Sequence, residues 1–307
     1  MSKVLIIKNK IKDFDKKIKV SGDKSLSIRW VLLASQATGV SKAYNLLMSE
    51  DVLAALDSIK KLGIKVKIHN NYCEIFGGGI NGFKYKKNLT IEARNSGTLG
   101  RLILGLLIKS PKKIKLIGDK SLSKRDFSRV TLPLERFGAK FYYKTKNKLP
   151  LSILGSLSVK GIKYLENKGS AQCKSSVMFA ALNASGTTSI KAKKSRNHSE
   201  LLFKYLKIPI KIKKNKKYDF IDVKQPKKIK AFNYQIPGDI SSSAFFMVLT
   251  ILSNNSKLLI KNVNINPSRT GVITILKKMG AKISLKNIRN YRGEKISDIL
   301  IKSSQNL

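Results

Sequence analysis

The sequence predicts an α/β fold, and the main reason is a repeat of about 72 residues. Four segments open with Gly and Ser residues and continue into an apolar helix, and they carry Ser25, Ser96, Ser170 and Ser241 at equivalent positions, 71, 74 and 71 residues apart. Between them lie segments with helical periodicity that end in a turn and a short strand. Each repeat is therefore expected to hold two helices that cover several short strands.

The second helix of each repeat is expected to end at a tight turn. Glycine suits such a turn because it accepts a positive φ, and Gly63, Gly138 and Gly280 stand at this position in three repeats. The remaining repeat has Lys207 there. The segments with this pattern are Val52–Ile68, Val130–Tyr143, Leu201–Ile212 and Val272–Leu285.

The stretch GDKSLSIR, residues 22–29, places a lysine, two hydroxyls and an arginine at the start of an apolar helix. Ser25 or Ser27 is expected where the first free backbone N–H groups point outward. The positive end of the helix and the charges of Lys24 and Arg29 favour a phosphate or carboxylate there. One such stretch also fits an ordinary capped helix, but four at constant spacing indicate helix starts that converge on a polyanionic ligand.

The composition is that of a globular protein, with 42% hydrophobic and 26% charged residues in 307. The net charge of +44 raises the alternative of nucleic-acid binding. Of the 62 basic residues only 10 are arginine, and the lysines are spread over nearly every segment, which argues against a dedicated site. The tract Lys204–Lys230, which also contains aromatic residues, keeps that alternative open.

The sequence gives no sign of a membrane span, a disulfide framework or a metal site. Its longest apolar run, Ala244–Leu252, is far shorter than the roughly 20 residues of a membrane-spanning helix. Cys73 and Cys173 are distant in sequence and lack metal-ligand spacing. The cytoplasm is therefore the expected location.

Further motifs follow in order along the chain, and together they resemble one family. They are NSGTLGRL at 95–102, GDKSLSKR at 118–125, SAQCKS at 170–175, SRNHSELL at 195–202, PGDISSSAFF at 237–246 and VNINPSRTGVITILKKMGA at 263–281. With GDKSLSIR, their order and spacing resemble 5-enolpyruvylshikimate-3-phosphate synthase, an enolpyruvyl transferase of the shikimate pathway, over residues 4–302.

The resemblance implies transfer of the enolpyruvyl group of phosphoenolpyruvate to the 5-hydroxyl of shikimate 3-phosphate, with release of phosphate through a tetrahedral intermediate. This reaction belongs to aromatic amino acid and chorismate biosynthesis. It implies two anionic small-molecule substrates, no cofactor or metal, no nucleic-acid or membrane partner, and a monomer.

The resemblance also implies site residues. Lys24 would be catalytic and would contact both substrates. The residues implied for shikimate 3-phosphate are Lys24, Ser25, Arg29, Ser170, Ala171, Gln172, Ser195 and Arg196. Those implied for phosphoenolpyruvate are Lys24, Gly97, Arg125 and Gln172.

Four positions depart from the family pattern. Ile28 replaces a polar residue, Arg94 and Lys207 replace glycines, and Asp126 replaces a proline and could oppose the charge of Arg125. The nearest alternative is the UDP-N-acetylglucosamine enolpyruvyl transferase, which shares the fold and uses a reactive cysteine. Cys173 is a poor match for that role because it lies at a predicted helix start, where a buried thiol is expected.

The fold implied is an inside-out barrel of βαβαββ units, with helices inside and sheets outside. Residues 21–233 would form one complete domain of three units, and residues 1–20 and 234–307 part of a second. The family's acid/base carboxylates would lie beyond Leu307. We therefore expect the chain to lack the family's C-terminal third, to show no measurable phosphate release, and to expose apolar surface on residues 234–307.

Overall fold

The computed structural model describes residues 11–304, which form two compact units. The three-sheet unit is Gly22–Ile236, and the one-sheet unit comprises residues 11–21 and 237–304. The sequence placed the boundary at residue 233. A short strand, Asn233–Gln235, pairs in parallel with Thr38–Tyr44, and it therefore lies in the three-sheet unit.

The repeat predicted from the sequence is present as four sheets of four strands. In each sheet the first two strands in spatial order pair in parallel and the others pair antiparallel. The first sheet of the three-sheet unit has, in spatial order, β13 (Asn233–Gln235), β2 (Thr38–Tyr44), β4 (Tyr72–Gly78) and β3 (Lys65–Ile68). The second has β5 (Leu89–Glu92), β6 (Ile114–Ile117), β8 (Leu151–Leu154) and β7 (Lys140–Tyr143). The third has β9 (Lys163–Glu166), β10 (Thr187–Lys193), β12 (Tyr218–Lys224) and β11 (Ile210–Lys214). The sheet of the one-sheet unit is β1 (Asp15–Ile18), β14 (Lys257–Asn264), β16 (Glu294–Lys302) and β15 (Lys282–Tyr291).

Each repeat also contributes two helices, as the periodicity predicted. The first of each pair, called here a core helix, follows the Gly/Ser-rich opening; these are α1 (Lys24–Ser35), α3 (Gly97–Leu106), α6 (Ala171–Ala181) and α8 (Ile240–Leu252). The second helices are α2 (Glu50–Lys61), α5 (Ser128–Glu135), α7 (His198–Tyr205) and α9 (Gly271–Lys278), and one short turn, α4 (Lys120–Ser123), carries the GDKSLSKR motif.

In the three-sheet unit the core helices form the interior. Residues 26–35 of α1 and 173–181 of α6 are buried on all sides. The strands alternate, so that in β10 Ile190 and Ala192 face inward while Lys191 and Lys193 face outward. The helices therefore lie inside and the sheets outside, which is the inside-out arrangement predicted for this fold.

In the one-sheet unit, α8 and α9 cover one face of the sheet. Met247 and Ile251 of α8 pack with Ile260, Ile299 and other sheet residues in a single apolar cluster. No helix among residues 11–304 is both long enough and apolar enough to cross a lipid bilayer.

Candidate active site

The GDKSLSIR stretch forms the start of α1. Asp23 caps the helix, and its carboxylate accepts a hydrogen bond of 2.9 Å from the Leu26 amide. Ser25 lies in the first turn, where backbone amides have no partner within the helix. Ser27 lies beyond these free amides, because its own amide donates a hydrogen bond to the Asp23 carbonyl. The exposed ammonium of Lys24 lies 3.5 Å from the Asp51 carboxylate, at the start of α2.

Arg29 joins three helices in the interior of this unit. Its Nε donates to Oγ of Ser199 at 2.8 Å, and its Nη2 donates to Oγ of Ser175 at 3.0 Å. The two hydroxyls lie 2.7 Å apart, and Arg29 is only 3% exposed. Ser175 is in α6 and Ser199 in α7. The starts of α1, α6 and α7, which carry most of the predicted substrate residues, are therefore held to one another.

The SAQCKS motif forms the start of α6. Ser170 caps this helix through a 3.2 Å hydrogen bond from the Cys173 amide, and Ala171 is its first residue. Both polar atoms of the Gln172 side-chain amide are hydrogen-bonded: Oε1 accepts from Arg101 at 2.7 Å, and Nε2 donates to the Thr98 hydroxyl at 2.9 Å. The Gln172 side chain thus links the start of α6 to the start of α3.

Gly97, the first residue of α3, lies beside two guanidinium groups. A Cβ at Gly97 would lie 2.8 Å from Nη1 of Arg101 and 3.0 Å from Nη1 of Arg125. The pKa of Arg101 is lowered because burial disfavours its charge, and the positive charges of Arg125 and Arg129 lower it further. An anion near Gly97 would relieve this concentration of positive charge.

Arg125 follows α4, and α4 is tied to the NSGTLGRL turn. Asp119 caps α4 with a 2.7 Å hydrogen bond from the Leu122 amide and also accepts one from the Asn95 side chain. Asp126, the departure beside Arg125, accepts from the amide and hydroxyl of Ser128 at 2.7 and 2.8 Å. These hydrogen bonds to Ser128 are the main cause of the lowered pKa of Asp126. The Asp126 carboxylate therefore stabilises the start of α5.

Ser195 and Arg196 precede α7. Arg196 is exposed, whereas the hydroxyl of Ser195 is buried and has no hydrogen-bond partner among the described residues. A buried hydroxyl of this kind can form a hydrogen bond with a ligand that supplies a donor or an acceptor.

The structure brings to the site four residues of these motifs that were not among the implied substrate residues: Arg101, Thr98, Ser175 and Ser199. Polar side chains inside otherwise apolar helices were the available signal. The structure also places Cys173 inside α6, where burial raises the pKa of its thiol. A raised thiol pKa is the opposite of what a reactive cysteine needs. Within residues 11–304 no group of three His, Cys, Asp or Glu side chains is gathered to hold a metal ion.

Comparison with known proteins adds an independent observation. A family profile described as EPSP synthase (3-phosphoshikimate 1-carboxyvinyltransferase) matches residues 8–305. A 3-phosphoshikimate 1-carboxyvinyltransferase of Ruthia magnifica is 42% identical over 290 residues, which cover 94% of this chain and 65% of that protein. One of Caldicellulosiruptor bescii is 38% identical over 287 residues, which cover 93% and 66%.

A solved structure shows the same fold. The EPSP synthase from Acinetobacter baumannii superposes with a TM-score of 0.86 at 36% identity, covering 95% of this chain and 66% of that one. The chain spans about two thirds of the length of the curated relatives that it matches. These matches do not support the expectation that the family's C-terminal third is missing. The expectation of no measurable phosphate release rested on it and is withdrawn with it. The profile match over nearly the whole chain, the identities and the shared fold show that the chain belongs to the EPSP synthase family.

Proposed function

We propose that this protein transfers the enolpyruvyl group of phosphoenolpyruvate to the 5-hydroxyl of shikimate 3-phosphate and releases phosphate. The relatives named above carry this activity in their names, and the family profile describes it. Within the chain, the arrangement that carries the proposal is the buried Arg29, which joins the starts of α1, α6 and α7.

Shikimate 3-phosphate is proposed to bind at these joined helix starts. Free backbone amides and the positive ends of α1 and α6 suit a phosphate group. Lys24 and Arg196 are exposed and add formal charge, and the Ser195 hydroxyl faces no partner among the described residues. The full set proposed is Lys24, Ser25, Arg29, Ser170, Ala171, Gln172, Ser195 and Arg196.

Phosphoenolpyruvate is proposed to bind beside Gly97, in contact with Arg125, Lys24 and Gln172. The absence of a side chain at Gly97 leaves room next to the guanidinium groups of Arg101 and Arg125. Bringing two anions together costs electrostatic repulsion, which these cations offset. Lys24, at the start of α1, is proposed as the catalytic residue because the family resemblance implies that it contacts both substrates.

Calorimetric titration with shikimate 3-phosphate tests the proposal. Arg196→Ala should weaken binding about ten- to a hundred-fold, as expected for a charge-assisted contact worth about 1.5 to 3 kcal/mol. Arg136→Ala is the matched control, because it removes the same charge from an exposed arginine at the end of α5 and should leave affinity unchanged.

Three outcomes would count against the proposal. The folded chain could fail to bind millimolar shikimate 3-phosphate, it could bind UDP-N-acetylglucosamine in its place, or RNA at moderate salt could displace the ligand. The buried Cys173 argues against the second outcome, and slow reaction of both thiols with a thiol reagent in the native protein would support that argument. We also propose a monomer without a nucleic-acid partner, which sedimentation with and without RNA would check.

A further inference from the structure

A buried ion pair joins α6 to α7, close in sequence to the proposed shikimate 3-phosphate residues. Nζ of Lys174 lies 2.6 Å from Oε1 of Glu200, and both side chains are buried. Neither charged group has a hydrogen bond to any other described residue that satisfies ordinary geometry. The contact between these two side chains is therefore their principal interaction.

Stability alone is a weak reason for such a pair. Taking two charges out of water costs about as much as their attraction returns, and apolar side chains of similar volume usually serve a protein interior at least as well. Lys174 also lies in the first turn of α6, where the helix dipole disfavours a positive charge. A buried pair in this position is better suited to fixing one arrangement of two helices than to holding the unit together.

The arrangement that it fixes is defined by its neighbours. Lys174 and Ser175 are adjacent in α6, and Ser199 and Glu200 are adjacent in α7. One tie is the ion pair, and the other is the contact between the two serine hydroxyls under Arg29. Two ties at successive residues hold the direction of α7 as well as its distance from α6, because neither helix can slide or rotate without breaking one of them.

We propose that Lys174 and Glu200 are a positioning pair, which sets the start of α7 against the start of α6 and thereby places Ser195 and Arg196 for shikimate 3-phosphate. The proposal rests on the function proposed above for these helix starts. The binding residues lie within a few positions of the pair in both segments: Ser170 and Gln172 precede Lys174, and Ser195 and Arg196 precede Glu200. Because the pair is buried, it acts on the ligand only through the placement of these residues.

The test compares three double variants. Lys174→Met/Glu200→Met removes both charges at similar volume. Lys174→Gln/Glu200→Gln removes the charges but keeps a polar pair that can bridge the helices. Lys42→Met/Glu74→Met is the control, because it removes an ion pair of 3.0 Å between β2 and β4, and neither residue is among the proposed binding residues.

Three measurements are made on each variant. Fluorescence of Trp30, the single tryptophan of the chain, follows unfolding of the three-sheet unit in urea. Amide hydrogen exchange of residues 195–200, without ligand, reports placement of the α7 start. Calorimetry reports the Kd for shikimate 3-phosphate.

For the Met pair we expect an unchanged or higher urea midpoint, exchange at residues 195–200 at least tenfold faster, and a Kd at least tenfold higher. In the Gln pair, hydrogen exchange and the Kd should both return part of the way to the wild-type values. The control should match the wild type in all three measurements.

The possible results separate this proposal from the function on which it rests. Unchanged exchange in the Met pair would overturn the positioning role whatever the affinities are. A lower urea midpoint would assign the pair to stability, and Met and Gln pairs that behave alike would show that a polar bridge is not what matters; either result overturns the proposal. Faster exchange with unchanged affinity would overturn the link to the ligand. If exchange is faster in the Met pair but the wild-type protein binds no shikimate 3-phosphate, the positioning role is supported and the proposed function is contradicted.

Discussion

The core helices α6 and α8 have similar sequences but different surroundings. Each begins with a polar cap and serines and continues as an apolar helix. In α6, residues 173–181 are all buried. In α8, Phe245 is 78% exposed and Leu252 is 69% exposed, with Phe246, Val248 and Leu249 also exposed. Apolarity around the whole helix therefore does not by itself determine burial around the whole helix.

The difference lies in the neighbours that each unit supplies. In the three-sheet unit α6 packs against α3, and Gly105 of α3 allows close contact: a Cβ there would lie 2.2 Å from the backbone oxygen of Ser176. In the one-sheet unit α8 packs on strands β14 and β16 through residues such as Met247 and Ile251. A helix with other core helices beside it is enclosed, and a helix on a single sheet is covered on one face.

The same substitution made in both units should give opposite results. Gly105→Ala should lower the free energy of unfolding of the three-sheet unit by about 2 to 3 kcal/mol, because the backbone of Ser176 cannot move aside without separating α3 from α6. Gly271→Ala, at the start of α9, meets nothing within 4 Å and should raise the stability of the one-sheet unit by about 0.5 kcal/mol.

Trp30 fluorescence in urea reports the first change, and hydrogen exchange within α9 reports the second. A Gly105→Ala variant as stable as the wild type would show that the close contact of α3 with α6 is not needed to enclose these helices.

Most of the fold could be predicted because its signals are local and repeated. Four helix starts at constant spacing predicted the repeats, and the helix-periodic segments that end in a turn and a short strand predicted several strands in each repeat. The sequence does not identify the cap of α1, because Asp23 and Ser25 are both good capping residues and only the hydrogen bond from the Leu26 amide to Asp23 decides between them. The exposed apolar residues of α8 lie within residues 234–307, where apolar surface was expected. Which helix would carry that surface depends on what lies next to it in space, and the periodicity of a helix does not contain this information.

The contacts within the candidate site could not be predicted from spacing. Arg29 meets Ser199 and Ser175 across 170 and 146 residues of sequence, and Arg101 meets Gln172 across 71. Each is a polar residue inside an apolar helix, which indicates a partner but does not identify it. The roles of the predicted substrate residues stay predictions until binding is measured.

Arg29 and Arg269 offer a second comparison between the units. Arg29→Ala should weaken shikimate 3-phosphate binding about ten- to a hundred-fold and should also lower stability by about 2 kcal/mol, since it leaves the buried hydroxyls of Ser175 and Ser199 without their charged donor. Arg269, in the one-sheet unit, donates to Oγ of Ser241 at 2.8 Å and lies 3.3 Å from the Asp239 carboxylate. Arg269→Ala should loosen the start of α8 without changing that affinity.

Calorimetry and Trp30 unfolding separate the two effects of the Arg29 substitution. If Arg29→Ala changed stability and left affinity intact, Arg29 would be a structural tie and its assignment to the substrate would be wrong. Equal losses of affinity in both arginine variants would show a nonspecific effect of charge.

The turns after the second helices provide a smaller effect that compares all four repeats. Gly63, Gly138 and Gly280 have φ of +88°, +97° and +94°, and Lys207 takes +56° in the corresponding turn after α7. A side chain in the left-handed region costs about 1 kcal/mol. Lys207→Gly should therefore raise the free energy of unfolding by about that amount, measured as a higher urea midpoint. The reverse change, Gly280→Lys, should destabilise the one-sheet unit by a similar amount. Loss of stability in Lys207→Gly would show that the lysine side chain stabilises its turn in another way.

The smallest change in stability is expected on the exposed face of α8. Phe245→Gln/Leu252→Gln removes two large apolar side chains that are mostly exposed, so the free energy of unfolding should change by less than about 0.5 kcal/mol. Aggregation should fall markedly, because five exposed apolar residues lie on this one helix and form a continuous patch that can associate with other molecules. Leu157→Gln is the control: Leu157 is 84% exposed, and as a single loop residue in the three-sheet unit it should have no effect on light scattering. Equal reduction of scattering by both variants would show that exposed leucines and phenylalanines act one by one, and unchanged scattering in the α8 variant would show that this face does not drive association at all.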